Sequence, residues 1–204
     1  MDRIKLKKNL EQEIAHYLNI PYFINFPKNP HQRLAVQVSK GNWQQVQKYT
    51  ARLAKKENVK LSALTSRQLY NFQKKHHIGI DCSGLVYHLL DFLYQQSHHQ
   101  SIRFKLIGAE GKTSPRRLSA HLLTSLPNAV PITPDQILPG DLIRSLYGRH
   151  VMFVIKKTTK GLKVVDSSRQ GRGVRISLIP LPLPPKSSLH RLKCLISPPT
   201  IPPL

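Results

Sequence analysis

The sequence Asp-Cys-Ser-Gly-Leu-Val at residues 81–86 stands where a predicted loop ends and a predicted helix begins. The first turn of a helix leaves backbone N–H groups unpaired and carries a positive potential. Both effects favour a thiolate at Cys82, and the same N–H groups can stabilise an oxyanion. We therefore predict that Cys82 is a nucleophile, and that Gly84 leaves room for substrate backbone beside the sulfur.

A histidine and an aspartate later in the chain supply the partners that such a nucleophile needs. Gly-Arg-His-Val at residues 148–151 places His150 at the start of an apolar strand, and Asp166 lies on the next predicted strand. A neutral imidazole can take the thiol proton and later protonate the leaving amine. A carboxylate on the other ring nitrogen fixes the tautomer and stabilises the imidazolium. The predicted catalytic residues are therefore Cys82, His150 and Asp166.

The spacing of apolar residues changes along the chain from helical to extended, which is typical of an α+β fold. The first part predicts an N-terminal helix at residues 1–20, a loop at 21–33, and helices at 42–57, 66–75, 82–93 and 114–126, with a strand at 103–107. The second part predicts an antiparallel meander at residues 141–146, 151–156, 162–166 and 174–179. Prolines crowd the last 25 residues, which predict an extended tail with a short strand near 192–196.

Three motifs in this order resemble the NlpC-type cell-wall cysteine peptidases. They are residues 81–86, Pro-Gly-Asp-Leu-Ile at 139–143, and residues 148–151. The resemblance covers about residues 66–180, preceded by an N-terminal helical region at 1–65 and followed by a proline-rich tail at 181–204. It implies a papain-like fold, in which N-terminal helices, including the nucleophile helix, pack on an antiparallel sheet. It also implies hydrolysis of amide bonds in peptidoglycan peptides through a thioester.

The resemblance also implies roles for individual residues. Cys82 is then the nucleophile and His150 the base, while Asp166 falls where the family has a second histidine or another polar residue, with residues 167–168 as substitutes. Asp81 and Ser83 flank the nucleophile and would hold a free amino terminus of the substrate. Tyr70 lies about a dozen residues before the nucleophile, where the family has a tyrosine near the oxyanion, although its usual sequence context is missing.

The charge of the chain is strongly positive. It has 32 Lys and Arg against 10 Asp and Glu, a formal net charge of +22. Such a charge attracts polyanions, including anionic polymers of the cell wall, or it reflects a generally basic proteome. The basic residues are spread along the chain, and only 7% of residues are aromatic, which weakens the case for a nucleic-acid-binding protein. Two alternatives to a cysteine hydrolase stay open. One is a non-enzymatic, basic nucleic-acid-binding protein, and the other is a papain-like acyltransferase or deamidase.

No cofactor or metal site is predicted. The histidine pairs at residues 76–77 and 98–99 are adjacent in sequence, so their side chains do not converge on one ion. No apolar stretch of about 18 residues predicts a membrane span, and the start lacks a standard signal sequence. We therefore expect a protein that is cytoplasmic or exported by another route. We also expect it to be a monomer.

Overall fold

The computed structural model describes residues 3–24, 34–108 and 116–196. A six-stranded sheet with only antiparallel pairs forms one layer, in the order β1-β6-β2-β3-β4-β5. The strands are β1 Ala129–Pro131, β2 Leu142–Ser145, β3 His150–Thr158, β4 Gly161–Ser168, β5 Gly173–Ile179 and β6 Ser188–Leu192. Helices pack against this sheet, so the predicted α+β class is confirmed.

In the described ranges the sheet is accompanied by five α-helices, namely α1 Arg3–Tyr17, α2 Trp43–Lys56, α3 Ser66–Lys75, α4 Cys82–His98 and α5 Ala120–Leu123. Local capping fixes where three of them begin. The side chains of Asn42, Thr65 and Asp81 accept hydrogen bonds from backbone N–H groups in the first turns of α2, α3 and α4. Sequence patterns of this kind are short-range, which is why these starts agree with the predicted ones to within a residue.

The helix α4 lies at the centre of the fold. It packs against α1 and against strands β3 and β4. Its apolar residues Leu85, Leu89 and Leu90 are fully buried, in one cluster with Ile14 of α1 and Phe153 of β3. The N-terminal helical region and the sheet therefore share a single core, which crosses the boundary predicted at residue 65. Burial on both sides of α4 holds its N-terminus rigidly above the sheet.

The last strand in sequence corrects the predicted tail. β6 runs over Ser188–Leu192 rather than near 192–196, and it pairs with both β1 and β2 inside the sheet. Arg191 explains this position, because its guanidinium contacts both carboxylate oxygens of the buried Asp141 at 2.7 Å. The prolines at 182–185 precede the strand and do not interrupt it. The predicted division at residue 180 thus falls within the sequence that builds the sheet.

Two further predictions need correction. The segment predicted as a strand at 103–107 contains a short 3-10 helix, Ile102–Phe104, which Ser101 caps. The helix predicted at 114–126 is shorter, since α5 begins only at Ala120 after the cap Ser119; its predicted start at 114–115 lies outside the described residues. No helix in the described ranges is both long and apolar enough to cross a membrane.

Candidate active site

Cys82 is the first residue of α4, and its side chain is buried among the N-terminal end of the helix and the sheet. Asp81 caps the helix, and its Oδ1 accepts the N–H of Gly84 at 2.7 Å. The predicted loop-to-helix junction is therefore present at the predicted residue. The thiol lies at the positive end of a helix of 17 residues, where a negative charge on sulfur is favoured.

His150 connects the thiol to a carboxylate. It is the first residue of β3, and its Nε2 lies 3.2 Å from Oδ2 of Asp166 on β4. The Cys82 side chain also interacts with the imidazole and raises its pKa. With Nε2 directed at Asp166, Nδ1 is the nitrogen left for the sulfur. The three residues predicted as catalytic are thus brought together in the order thiol, imidazole, carboxylate.

The electrostatics of this series favour a charged imidazolium. Burial alone would lower the pKa of His150, but its hydrogen bonds and charge interactions with Asp166 and Cys82 raise that pKa to about 9. Burial would likewise raise the pKa of Asp166, yet the hydrogen bond and charge of His150 hold it below its usual range. The carboxylate therefore stays ionised while His150 retains its proton at neutral pH.

The two serines after Asp166 have different partners. Ser167 is buried, and its hydroxyl donates to the carbonyl of Ile80 at 2.7 Å, which ties β4 to the segment just before the nucleophile. Ser168 also helps to hold the pKa of Asp166 below its usual range, after the larger effect of His150. It also accepts the N–H of Gly171 at 3.0 Å. Both serines therefore support the site, while Asp166 is the group that contacts the imidazole.

Asp81 and Ser83 are buried and have a partner within the chain. The ammonium of Lys40, itself buried, lies 2.6 Å from both carboxylate oxygens of Asp81 and 2.5 Å from the hydroxyl of Ser83. The Ser83 hydroxyl in turn donates to the carbonyl of Leu118 at 3.0 Å. The sequence predicted a substrate ammonium beside these two residues, and in the structure Lys40 supplies the ammonium that meets them.

Gly84 has a packing role that the sequence did not suggest. A Cβ at this position would lie 2.7 Å from the carbonyl oxygen of Ser39, and Ser39 also accepts the N–H of Asp81 at 3.1 Å. The space above Gly84 is thus filled by the chain's own backbone rather than left for substrate. This close approach holds the segment that carries Lys40 against the start of α4.

Two tyrosines lie near the site in different ways. Tyr70, on α3, donates its hydroxyl to the carbonyl of Arg172 at 2.6 Å and lines a cleft at the start of β5. Tyr22 pairs with Ile80 in an isolated parallel bridge just before the nucleophile. Burial and the nearby Cys82 charge raise the pKa of Tyr22 to about 12, so its hydroxyl stays protonated. Of these two tyrosines, Tyr22 is therefore the one whose hydroxyl the charge of Cys82 affects.

Sequence reasoning missed Lys40 and Tyr22 for the same reason. They lie 42 and 60 residues before Cys82, and no local spacing or motif links them to it.

Within the described residues, no three His, Cys, Asp or Glu side chains are grouped as a metal site would require. No protein family, curated protein or solved structure matches the chain.

Proposed function

We propose that the protein is a cysteine hydrolase that cleaves amide bonds in bacterial cell-wall peptides through a thioester acyl-enzyme. The observation that carries this proposal is the series Cys82, His150 and Asp166, in which the imidazole is hydrogen-bonded to Asp166 and interacts with Cys82 at the N-terminus of α4. A thiol, a base and an orienting carboxylate in this order are the groups that nucleophilic acyl transfer requires.

The proposed reactive form is the ion pair of the Cys82 thiolate and the protonated His150, which agrees with the raised pKa of that imidazole. The thiolate attacks the substrate carbonyl, and the charge moves to the carbonyl oxygen. As the tetrahedral intermediate collapses, the imidazolium gives its proton to the leaving nitrogen and the amine departs. Water, deprotonated by the now neutral His150, then attacks the thioester, and departure of the thiolate restores the ion pair. Asp166 keeps the imidazole oriented and stabilises its charge in both half-reactions.

Two kinds of donor are available for the oxyanion. The backbone N–H groups in the first turn of α4 have no intrahelical acceptor, and the helix dipole favours a negative charge beside them. The Tyr22 hydroxyl, which stays protonated with a pKa of about 12, is within the electrostatic influence of the same sulfur. Together they would stabilise the charge that develops on the substrate oxygen.

Cell-wall peptides are proposed as the substrate on the strength of the three motifs that resemble NlpC-type peptidases. The positive charge of the chain, formally +22, is consistent with retention on anionic wall polymers. The same thioester could pass to an amine instead of water, so the reaction is best followed with a labelled amine present. Hydrolysis then gives only free acids, whereas acyl transfer gives labelled amides.

The deciding experiment is digestion of purified cell-wall peptides by the wild type, Cys82→Ala and the matched control Cys194→Ala, with products identified by mass spectrometry. We expect one amide to be cut by the wild type and by the control, and none by Cys82→Ala. Thermal unfolding of each variant verifies that loss of activity is not loss of the fold. Cleavage by Cys82→Ala at the wild-type rate would exclude the proposed mechanism.

A further inference from the structure

A cleft lies between α3 and the start of β5. Its volume is about 820 Å³, within the range of pockets that bind small ligands. Five of the eleven described residues that line it are basic, namely Arg67, Lys74, Arg169, Arg172 and Arg175, whereas Lys and Arg make up only 32 of 204 residues in the chain. None of the eleven is acidic. The cleft is therefore richer in positive charge than the high net charge alone accounts for.

These cations are largely available to a ligand. All five side chains are exposed. Arg175 lies 3.5 Å from a carboxylate oxygen of Asp166, and among the described residues the other four basic side chains form no ion pair. Placing like charges around one concave surface is unfavourable in the free protein, and an anionic ligand would relieve that repulsion. The arrangement is that of an anion-binding site.

One ion pair joins the cleft to a catalytic residue, and two further interactions relate the cleft to Tyr22. Arg175 belongs both to the lining and to the surroundings of Asp166. Asn19, another lining residue, donates its N–H to the carbonyl of Val174 at 3.3 Å, which ties the cleft to the segment that continues into Tyr22. The charges of Arg169 and of Cys82 both act on the Tyr22 hydroxyl. A chain of a few residues could thus extend from the thiol into the cleft.

We propose that this cleft binds a carboxylate-bearing, acidic portion of the substrate whose amide bond reaches Cys82. The proposal rests on the proposed function for its link to catalysis, and it adds the chemical class that the site selects. Arginine guanidinium groups recognise carboxylates through paired, charge-assisted hydrogen bonds, and four of the five cations are arginines. An acidic peptide therefore fits better than a neutral or basic one.

Nucleic acid is the competing polyanion. Single-stranded nucleic acid binds where basic residues alternate with aromatic rings on which bases stack. Tyr70 is the one aromatic side chain among the described lining residues, and its hydroxyl is already bonded to the carbonyl of Arg172. The cleft thus offers positive charge and paired guanidinium donors, but it lacks several aromatic rings on which bases could stack. This favours a peptide that carries carboxylates.

The test measures binding apart from catalysis. A fluorescein-labelled tetraglutamate peptide is titrated into Cys82→Ala protein at about 50 mM salt and followed by anisotropy, with tetraglutamine and a single-stranded oligonucleotide as parallel probes. The triple variant Arg67→Gln/Arg169→Gln/Arg172→Gln removes three charges from the cleft. The control Lys48→Gln/Lys156→Gln/Lys160→Gln removes three exposed charges elsewhere.

We expect tetraglutamate to bind, tetraglutamine not to bind, and the cleft variant to weaken tetraglutamate binding by about tenfold or more while the control changes it little. In the wild type, tetraglutamate should also slow alkylation of Cys82, because the cleft adjoins the thiol. Equal weakening by both triple variants would overturn the proposal, as would an oligonucleotide that binds the cleft in place of the peptide. If the peptide binds as expected but no wall peptide is cut, the cleft assignment stands and the proposed reaction fails.

Discussion

The ammonium of Lys40 lies 2.6 Å from both carboxylate oxygens of Asp81, the residue that caps the nucleophile helix. Both side chains are buried, with 6% and 12% of their surface exposed. The pair holds the Asp81 side chain in one rotamer. In that rotamer its carboxylate accepts the N–H of Gly84 and so caps the helix. The start of α4, and with it the position of Cys82, depends on a residue more than 40 positions away in sequence.

Removing this ammonium should destabilise the protein strongly. Lys40→Met leaves the Asp81 carboxylate buried without a cation, and we expect the free energy of unfolding to fall by about 3–5 kcal/mol. The double variant Lys40→Met/Asp81→Asn should recover part of that loss, because no charge is then left unpaired. Denaturant unfolding measures all three proteins, with the exposed Lys156→Met as a control expected within about 0.5 kcal/mol of wild type. Equal, small effects of Lys40→Met and Lys156→Met would contradict the buried pair.

Gly84 should not tolerate a methyl group. A Cβ there would meet the backbone carbonyl of Ser39, which cannot move without shifting Lys40 and Asp81. We expect Gly84→Ala to lower the free energy of unfolding by about 1–3 kcal/mol, against the usual helix-stabilising effect of alanine. Ser97→Ala, at an exposed position of the same helix, is the control. A more stable Gly84→Ala protein would show that the space above the helix is open after all.

Asp166 should set the alkaline limit of activity. The reactive pair requires a proton on His150, and this proton is lost as the pH rises through about 9. Asp166→Asn removes a charge that raises the pKa of His150 and leaves burial, which lowers it. The descending limb of kcat/KM against pH should therefore move to lower pH, and the maximum should fall. Asp135→Asn, an exposed aspartate, should keep the wild-type profile. If the descending limb of kcat/KM against pH is unchanged in Asp166→Asn, Asp166 is not the residue that raises the pKa of His150.

Much of this site follows from short-range sequence patterns. Cys82 is identified by the loop-to-helix junction and His150 by its place at the start of a strand, and both features depend on neighbours within a few residues. Lys40 and Tyr22 could not be found in this way, because tertiary packing alone brings their segments to Ile80 and Asp81.

The strands of the sheet also fall into those that short-range sequence patterns predict and one, β6, that they do not. The strands β2 to β5 are consecutive in the chain and pair with their sequence neighbours, as a meander predicts. β6 pairs with β1 and β2 instead, and the polar His190 and Arg191 hide its strand pattern. Arg191 is explained only by its buried partner Asp141, a long-range contact that spacing does not reveal.

The two cysteines should differ sharply toward iodoacetamide. Burial raises the pKa of Cys194 to about 11, so this thiol stays protonated at neutral pH. Cys82 interacts with His150, and the positive charge of the protonated imidazole favours a thiolate on this sulfur. At pH 7 we expect Cys82 to be alkylated first and Cys194 to remain unmodified, as measured by peptide mass spectrometry over time. His150→Gln should slow the reaction of Cys82 and leave that of Cys194 unchanged. Labelling of Cys194 before Cys82 would contradict the activation of Cys82.

Tyr22 should stabilise the transition state rather than activate the thiol. Its hydroxyl stays protonated, since burial and the Cys82 charge raise its pKa to about 12, and it can donate to a developing oxyanion. We expect Tyr22→Phe to lower kcat by about 10²–10³-fold while KM and the rate of Cys82 alkylation change little, because the thiol and His150 are untouched. Tyr147→Phe, an exposed tyrosine, is the control and should keep the wild-type kcat. A parallel loss of alkylation in Tyr22→Phe would instead assign Tyr22 to positioning Cys82, whereas a wild-type kcat would exclude it from the oxyanion site.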